Sequence, residues 1–309
     1  MVLLHVLDIN PPLLNSSCAW SSNLQQLTEL YESPYTGAVT TRTATLLGFK
    51  EDNNHTVAFH VEALTTINSY GYSPHPLTEY IEWHNSLRST DVGRNGEFHS
   101  NSSRSTTRRK NWECTNWNRT YTSCPNIPNS PPSGYSFRSL LPLLEVLTAA
   151  YAKDNTLTIG LKLPPYVHKD QFAEVFAVLQ SLQNSARYNG SAISFLTCTN
   201  TLGNSLLFSE QSISTIESKN EFAVPTGLGG LAGESLHPLA LGNVYAFKKL
   251  ISSQSGAHAA LGNIKIIGVG GVTSKAAVER MTKAGADFVG CATLFGKEGV
   301  HAFEILGKR

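Results

Sequence analysis

The sequence predicts an α/β fold with a parallel β-sheet, and three observations carry this prediction. Short runs rich in Val, Ile, Leu and Thr alternate with helical patterns along most of the 309 residues. These runs lack a regular alternation of apolar and polar residues, as expected for parallel strands that are covered on both faces. Glycines cluster at the end of the strand at 264–269, as Gly268, Gly270 and Gly271, where a parallel fold turns towards its next helix.

The clearest predicted strands are short, apolar and spread along the chain. They lie at 37–42, 157–163, 192–197, 264–269 and 287–291. Helical patterns occupy most of the segments between and beside them. The predicted helices cover 23–32, 137–152, 169–183, 237–252, 274–284 and 299–306. The helix at 274–284 shows clear boundaries, because Thr273 or Ser274 can cap its start and Gly285 ends it.

Length and composition leave the number of domains open but exclude some classes of protein. A chain of 309 residues can form two domains or one α/β barrel with insertions. Hydrophobic residues make up 41% and charged residues 15%, which favours a globular core over a disordered chain. A net charge of +1 provides no general attraction to nucleic acid or to an acidic membrane surface. We therefore expect no nucleic-acid partner.

The cysteines and the N-terminus indicate a reduced, cytoplasmic protein. The five cysteines are widely spaced, with no CxxC pair and no neighbouring His at zinc-ligand spacing, so we expect no metal site. The first residues contain no basic region, and they reach Asp8 and Pro11 before a signal-peptide core could be complete. No stretch approaches the roughly 18 apolar residues that a membrane span needs, so we expect no membrane partner.

One block, from residue 84 to residue 122, interrupts the pattern. Its only aliphatic or Phe residues are Leu87, Val92 and Phe98, and most of the rest is Ser, Thr, Asn, Arg and Gly. Because the block has neither helical nor strand periodicity, we predict loop or disorder for residues 84–121. Its basic residues are interpreted as a solvated run rather than a nucleic-acid patch. A structureless loop of this length is uncommon inside a compact domain.

Two glycine-containing strand ends near the C-terminus are candidates for a phosphate site. Gly270 and Gly271 follow the strand at 264–269, and Ala292 and Thr293 follow the next one. Glycine lets backbone N–H groups approach a phosphate, and the loops after the seventh and eighth strands of a barrel commonly bind one. Tight turns also need glycine, so a purely structural role stays open. The Rossmann fingerprint does not fit, because its third glycine is missing.

Other predicted strand ends carry residues that could bind and transform a planar ring. Cys124 lies in the Pro-rich loop SCPNIPN, where it is either a base or nucleophile or a buried small side chain. Asn68, Asn126 and Asn200 each follow a strand, and their carboxamides suit a ring with amide donors and acceptors, although Asn also caps turns. Lys162 lies in an apolar strand, where a flavin or a substrate carboxylate would be a suitable partner.

Taken together, these segments resemble the dihydroorotate dehydrogenases, and specifically the fumarate-type class 1A enzymes in a fungal form. The resemblance covers residues 11–83 and 122–308, and the order of SCPN, KLPPY and GVGG is its most specific feature. It implies a single domain over residues 1–309, an FMN-binding (β/α)8 TIM barrel that usually forms a homodimer. The implied reaction is oxidation of dihydroorotate to orotate in pyrimidine (UMP) biosynthesis, with fumarate as the electron acceptor.

The resemblance also implies a role for each candidate residue. Cys124 would be the base that removes a proton from the substrate ring. Lys162 would stabilise the reduced flavin by its charge. The implied substrate-binding residues are Asn68, Asn126, Asn200 and Thr201. The implied cofactor-binding residues are Ser16, Ser17, Arg42, Lys162, Gly270, Gly271, Ala292 and Thr293.

The chain departs from the family pattern at several positions. Arg42 replaces a lysine, Ala292 replaces a phosphate-site glycine, and Cys18 stands where bacterial members commonly have glycine. The third and fourth βα units of the barrel fall within residues 84–122, so we expect them to be disrupted. We interpret residues 84–121 as the product of a wrong reading frame or a misassigned intron. Two alternatives stay open, namely an inactive relic of the enzyme and another flavin barrel that acts on a pyrimidine-like ring.

Overall fold

The structure is a computed structural model in which strands alternate with helices along most of the chain. It describes residues 2–5, 7–94, 111–113, 133–185, 191–213 and 221–308. The strands in these ranges are β1 (Val2–Leu4), β2 (Leu7–Ile9), β3 (Leu13–Asn15), β4 (Ala38–Thr40), β5 (Val57–His60), β6 (Thr65–Asn68), β7 (Asn111–Glu113), β8 (Ile159–Leu163), β9 (Ile193–Cys198), β10 (Leu202–Ser205), β11 (Ser212–Ile213), β12 (Gly229–Gly233), β13 (Lys265–Val269) and β14 (Phe288–Cys291). The α-helices are α1 (Leu24–Glu32), α2 (Leu77–Arg94), α3 (Phe137–Lys153), α4 (Lys169–Ser185), α5 (His237–Ser252), α6 (Lys275–Ala284), α7 (Thr293–Glu298) and α8 (His301–Gly307).

A curled parallel sheet forms the centre of the fold. Its strands lie in the order β7-β4-β3-β14-β13-β9-β8, and all the pairings in it are parallel. Side chains from five of these strands line one interior cavity, which requires the sheet to curl around it. They are Leu14, Thr40, Ile159, Phe195 and Ile267. With helices between successive strands, this architecture confirms the predicted α/β barrel.

The third and fourth βα units are described only in part. β7 pairs with β4, with Ala38 opposite Asn111 and Thr40 opposite Glu113. β8 lies at the other edge of the sheet, and within the described ranges no strand bridges β7 and β8. The described residues therefore supply seven of the eight strands of a TIM barrel. The expected disruption of the third and fourth units falls mostly on residues outside the described ranges, so it stays a prediction.

Part of the polar block has regular structure, so the prediction of loop or disorder across residues 84–121 is wrong there. The block contains the second half of α2 and all of β7. Leu77, Tyr80 and Leu87 are buried at helical spacing, which shows that α2 begins in an apolar segment and extends into the polar one. Neither α2 nor any other described helix is long and apolar enough to cross a membrane.

β3, β4 and β14 are buried along their whole length, and β9 and β13 nearly so, as continuous apolar strand sequences predict. Leu196 and Ile266 belong to a large cluster between the sheet and its helices, whereas Phe195 and Ile267 belong to a smaller inner cluster. The antiparallel hairpin of β1 and β2 contributes Leu4 to this inner cluster. The hairpin therefore packs against the inside of the barrel, and the opposite end of the strands is left for a site.

A second sheet, which the sequence analysis did not predict, has the antiparallel order β10-β12-β6-β5-β11. Its glycines allow close packing between neighbouring strands. A Cβ on Gly229 would lie 2.6 Å from the Asn68 carbonyl oxygen, and a Cβ on Gly233 would lie 2.1 Å from the Leu64 carbonyl oxygen. These glycines of the GLGGLAG segment therefore serve strand packing.

Candidate functional site

A cavity lies at the carboxyl ends of the parallel strands, the edge at which TIM barrels bind their ligands. Residues that follow β3, β4, β9, β13 and β14 converge there, together with residues of the second sheet. Of the thirteen residues implied by the resemblance, eleven line this cavity. They are Ser16, Ser17, Arg42, Asn68, Lys162, Asn200, Thr201, Gly270, Gly271, Ala292 and Thr293. The other two, Cys124 and Asn126, lie outside the described residues.

Gly270, Gly271, Ala292 and Thr293 form what we call the backbone group of the cavity. Gly270 has a φ of 127° and Gly271 a φ of 66°, a conformation that strongly favours glycine. A Cβ on Gly271 would lie 2.5 Å from the Cβ of His237. Because neither glycine carries a side chain, the main chain itself borders the cavity and can offer N–H groups to an anion.

Asn68, Lys162, Asn200, Thr201 and Arg42 form what we call the side-chain group. Asn68 comes from the second sheet, where its Nδ2 donates a hydrogen bond to the Gly230 carbonyl at 3.0 Å. A Cβ on Gly230 would lie only 2.2 Å from the hydroxyl oxygen of Thr201. The second sheet and the segment after β9 therefore meet closely at this part of the cavity.

Hydrogen bonds between strand ends fix the segment after β9. The N–H of Thr199 donates to the Val269 carbonyl at 2.7 Å, and the N–H of Asn200 donates to the Leu163 carbonyl at 2.8 Å. The buried hydroxyl of Thr199 has no hydrogen-bond partner among the described residues, although it belongs to a residue that lines the cavity. A buried hydroxyl without a partner is costly, so this atom indicates a polar ligand. Thr199 was not predicted from the sequence, although its place between Cys198 and Asn200 in TCTNT was the available signal.

Lys162 brings a cationic side chain to the cavity from an apolar strand. It lies in β8 between Leu161 and Leu163, both of which are fully buried, and it pairs with Thr197 of β9. An ammonium group in such surroundings favours a nearby negative charge. The position of Lys162 is therefore suited to an anionic ligand or to negative charge that develops on a ligand.

Arg42 is a second cation at the cavity, but a carboxylate balances its charge. Its side chain is 7% exposed and forms an ion pair with Glu51. Its guanidinium lies 5.0 Å from the centre of the Tyr70 ring and donates to the Gly71 carbonyl at 3.4 Å. Arg42 thus has structural partners in addition to any ligand. Glu51 and Tyr70 were not predicted from the sequence, because tertiary packing rather than a local motif brings them to Arg42.

Cys18 carries a free thiol and lines the cavity. Burial raises the pKa of this thiol to about 11, and this outweighs the opposing effects of hydrogen bonds and of Lys162 and Arg42. The side chain is therefore protonated at neutral pH. It cannot act there as a thiolate base, which distinguishes it from the role expected of Cys124.

Comparison with known proteins places the chain in a family. The sequence pattern of the family described as dihydroorotate dehydrogenase matches residues 4–308. A relative from Streptococcus pneumoniae serotype 4, named as a dihydroorotate dehydrogenase A (fumarate), is 36% identical over 186 residues, which is 59% of this chain and 49% of that protein. A protein of similar name from Streptococcus pyogenes serotype M5 is 36% identical over 190 residues, or 60% of this chain and 50% of the relative.

The matches to single relatives and to the family pattern cover different shares of the proteins. This chain spans about half the length of the curated relatives it matches. The family pattern, in contrast, extends over nearly all of this chain, including the cavity and both sheets. The chain therefore belongs to the dihydroorotate dehydrogenase family.

Proposed function

We propose that this chain oxidises dihydroorotate to orotate, with FMN as cofactor and fumarate as electron acceptor, as a step of pyrimidine biosynthesis. The observation that carries the proposal is the single cavity that contains both the backbone group and the side-chain group. Family membership and the fumarate-type names of the matched relatives support the same reaction.

Three features of the cavity fit a flavin mononucleotide. The Gly270–Gly271 turn leaves main chain at the cavity for a phosphate, as seen at the ends of barrel strands. Lys162 provides positive charge for an electron-accepting ring, and the Thr199 hydroxyl lacks a partner among the described residues. In this proposal the backbone group holds the phosphate. The residues expected beside the ring are Ser16, Ser17, Arg42 and Lys162.

The proposed reaction removes a proton and a hydride from adjacent carbons of the dihydropyrimidine ring. The bound flavin would supply the acceptor for the hydride. The thiolate of Cys124 would take the proton, while Asn68, Asn126, Asn200 and Thr201 would bind the substrate carboxylate and ring amides. Lys162 would stabilise the negative charge that develops beside it. Fumarate balances the cycle by taking up two electrons and two protons to become succinate.

The proposal includes a cytoplasmic homodimer. Val61, Phe208 and Ile213 expose apolar side chains at one edge of the second sheet. They lie near one another, since the N–H of Val61 donates to the Gln211 carbonyl at 3.0 Å and β11 pairs with β5. A second copy of the chain would remove these side chains from water. Analytical ultracentrifugation of Ile213→Glu beside the unchanged chain tests this, and a dimer that persists in the variant would exclude Ile213 from the contact.

The reaction is tested by adding dihydroorotate without oxygen to the purified chain reconstituted with FMN. We expect the absorbance of oxidised flavin to disappear and to return when fumarate is added. Reduction of the bound flavin by dihydrouracil but not by dihydroorotate would indicate that the chain is another flavin barrel that acts on a pyrimidine-like ring. A folded chain that binds FMN but is reduced by neither compound would be an inactive relic, and either of these results would overturn the proposal.

A further inference from the structure

His237, the first residue of α5, packs directly against the Gly270–Gly271 turn. The residue is 7% exposed, and its Nδ1 lies 2.8 Å from the Gly270 carbonyl oxygen. Arg280 donates from Nε to His237 Nε2 at 3.1 Å. Because a guanidinium can only donate, Nε2 is the acceptor and the proton of the neutral imidazole is on Nδ1. His237 therefore donates a hydrogen bond to the Gly270 carbonyl.

This hydrogen bond sets the direction of the next N–H group. The carbonyl of Gly270 and the N–H of Gly271 belong to one planar trans peptide, so they point in opposite directions. When His237 holds the carbonyl on its own side, the N–H of Gly271 is turned to the other side. Within the described part of the chain, no hydrogen bond is formed by this N–H, and both glycines line the cavity.

Two consecutive glycines need such a restraint, because glycine has the greatest backbone freedom of any residue. The first turn of α5 provides close contacts on one side of the pair. A Cβ on Gly270 would lie 2.7 Å from the Cβ of Ala240, and a Cβ on Gly271 would lie 2.5 Å from the Cβ of His237. A further bond from the Thr273 hydroxyl to Glu234 Oε1, at 2.9 Å, ties the end of the same loop to the segment before α5.

We propose that His237 is a positioning residue for phosphate binding, which it supports by holding the Gly270–Gly271 turn so that the Gly271 N–H faces the phosphate of FMN. This inference rests on the proposed binding of FMN. His237 acts through the main chain of the turn, and Arg280 supports it by fixing the tautomer of the imidazole. The expected ligand chemistry is a phosphate monoester, so loss of His237 should weaken binding of FMN and spare binding of riboflavin.

The test compares FMN with riboflavin, which lacks the phosphate, in fluorescence titrations of the apoprotein. We expect His237→Ala to lower the affinity for FMN about tenfold and to leave the affinity for riboflavin nearly unchanged. His237→Asn can place its amide nitrogen where Nδ1 lies and should keep the preference for FMN. His237→Gln fills similar space but places its amide nitrogen nearer to the position of Nε2, so it should lose the preference even if the Ala variant does not fold.

Asn243→Ala is the matched control. Asn243 lies on the same helix and is 1% exposed, but it hydrogen-bonds the backbone of Tyr166 at 2.8 and 3.0 Å instead of the glycine turn. Its removal should leave the ratio of FMN to riboflavin affinity unchanged. The inference would be overturned if His237→Ala and His237→Gln lost equal affinity for FMN and for riboflavin. It would also be overturned if His237→Asn failed to keep the preference for FMN over riboflavin. A folded wild-type chain that binds neither flavin would instead overturn the proposed function and, with it, the basis of this inference.

Discussion

The backbone group and the side-chain group of the cavity are built in different ways. The backbone group follows β13 and β14, two neighbouring strands that pair directly, and it depends on glycine conformations. The side-chain group comes from β6 and β8 and from the segments after β4 and β9, so it combines two sheets. The proposed phosphate site is therefore built from main chain next to one pair of strands, whereas the proposed ring site depends on side chains that tertiary packing brings together.

The largest expected effect concerns the backbone group. Gly271→Ala would place a Cβ 2.7 Å from the Gly233 carbonyl oxygen and in a left-handed conformation, so we expect the free energy of unfolding to fall by about 3 kcal/mol. Gly242→Ala is the control, because Gly242 lies within α5 with nothing within 4 Å of an added Cβ. That change should stabilise the chain by about 0.5–1 kcal/mol. Denaturant unfolding measures both, and equal effects would contradict the close approach at Gly271.

The next effect concerns the side-chain group and is kinetic. Lys162→Met removes the lysine's positive charge from the cavity, and we expect the rate of flavin bleaching by dihydroorotate to fall by about 100-fold. Lys265→Met is the control, since Lys265 lies at the start of β13 and pairs with Asp287 at 3.5 Å. Stopped-flow absorbance without oxygen gives both rates. A Lys162 variant as fast as the Lys265 variant would remove Lys162 from the proposed mechanism.

A smaller effect is expected where the side-chain group depends on a buried ion pair. Glu51→Gln leaves the Arg42 guanidinium buried without its carboxylate, so we expect the free energy of unfolding to fall by about 1–2 kcal/mol. The loss stays this small because the Glu51 side chain is 27% exposed and solvent screens the ion pair. Arg42→Met combined with Glu51→Met should cost less than the sum of the two single changes. Thermal unfolding of Arg42→Met, Glu51→Met and the double variant measures this coupling, and strict additivity would argue against the ion pair.

The last effect, which is absent at neutral pH, concerns the Cys18 thiol. Burial raises its pKa from 9.0 to about 11, so the folded state favours the protonated thiol. The resulting stabilisation is complete below pH 9 and is lost as pH rises towards about 11, because the unfolded chain releases the proton more readily. Urea unfolding between these pH values should show a shallower fall in stability for Cys18→Ala than for the unchanged chain. Equal slopes would mean that Cys18 does not contribute to the alkaline loss of stability.

The sequence predicted the parallel half of the fold well, because buried strands and capped helices leave local patterns. The strand predicted at 264–269 is observed as Lys265–Val269, and the helix predicted at 274–284 is observed as Lys275–Ala284 with Ser274 as its cap. The second sheet was missed, since its pairing joins residues as distant as Thr65 and Gly233. No local pattern records such a register.

The site was predictable to different extents for the same reason. Gly270 and Gly271 after one strand, with Ala292 and Thr293 after the next, indicated the backbone group directly. Asn68, Asn200 and Lys162 of the side-chain group were also indicated by their places in predicted strands or at strand ends, whereas Arg42 and Thr201 required the family resemblance. Glu51 could not be predicted, because the fold alone selects it as the partner of Arg42. The roles of Cys124 and Asn126 stay predictions. The frame-shift or intron interpretation of residues 84–121 also stays a prediction, and sequencing the transcript tests it.

The central claim is that this cavity is a flavin site, and equilibrium titration of the intact apoprotein with FMN tests it most directly. We expect saturable quenching of flavin fluorescence at one FMN per chain, with weaker binding of riboflavin because the backbone group would have no phosphate to hold. A folded apoprotein that leaves the fluorescence of FMN unchanged would contradict the claim.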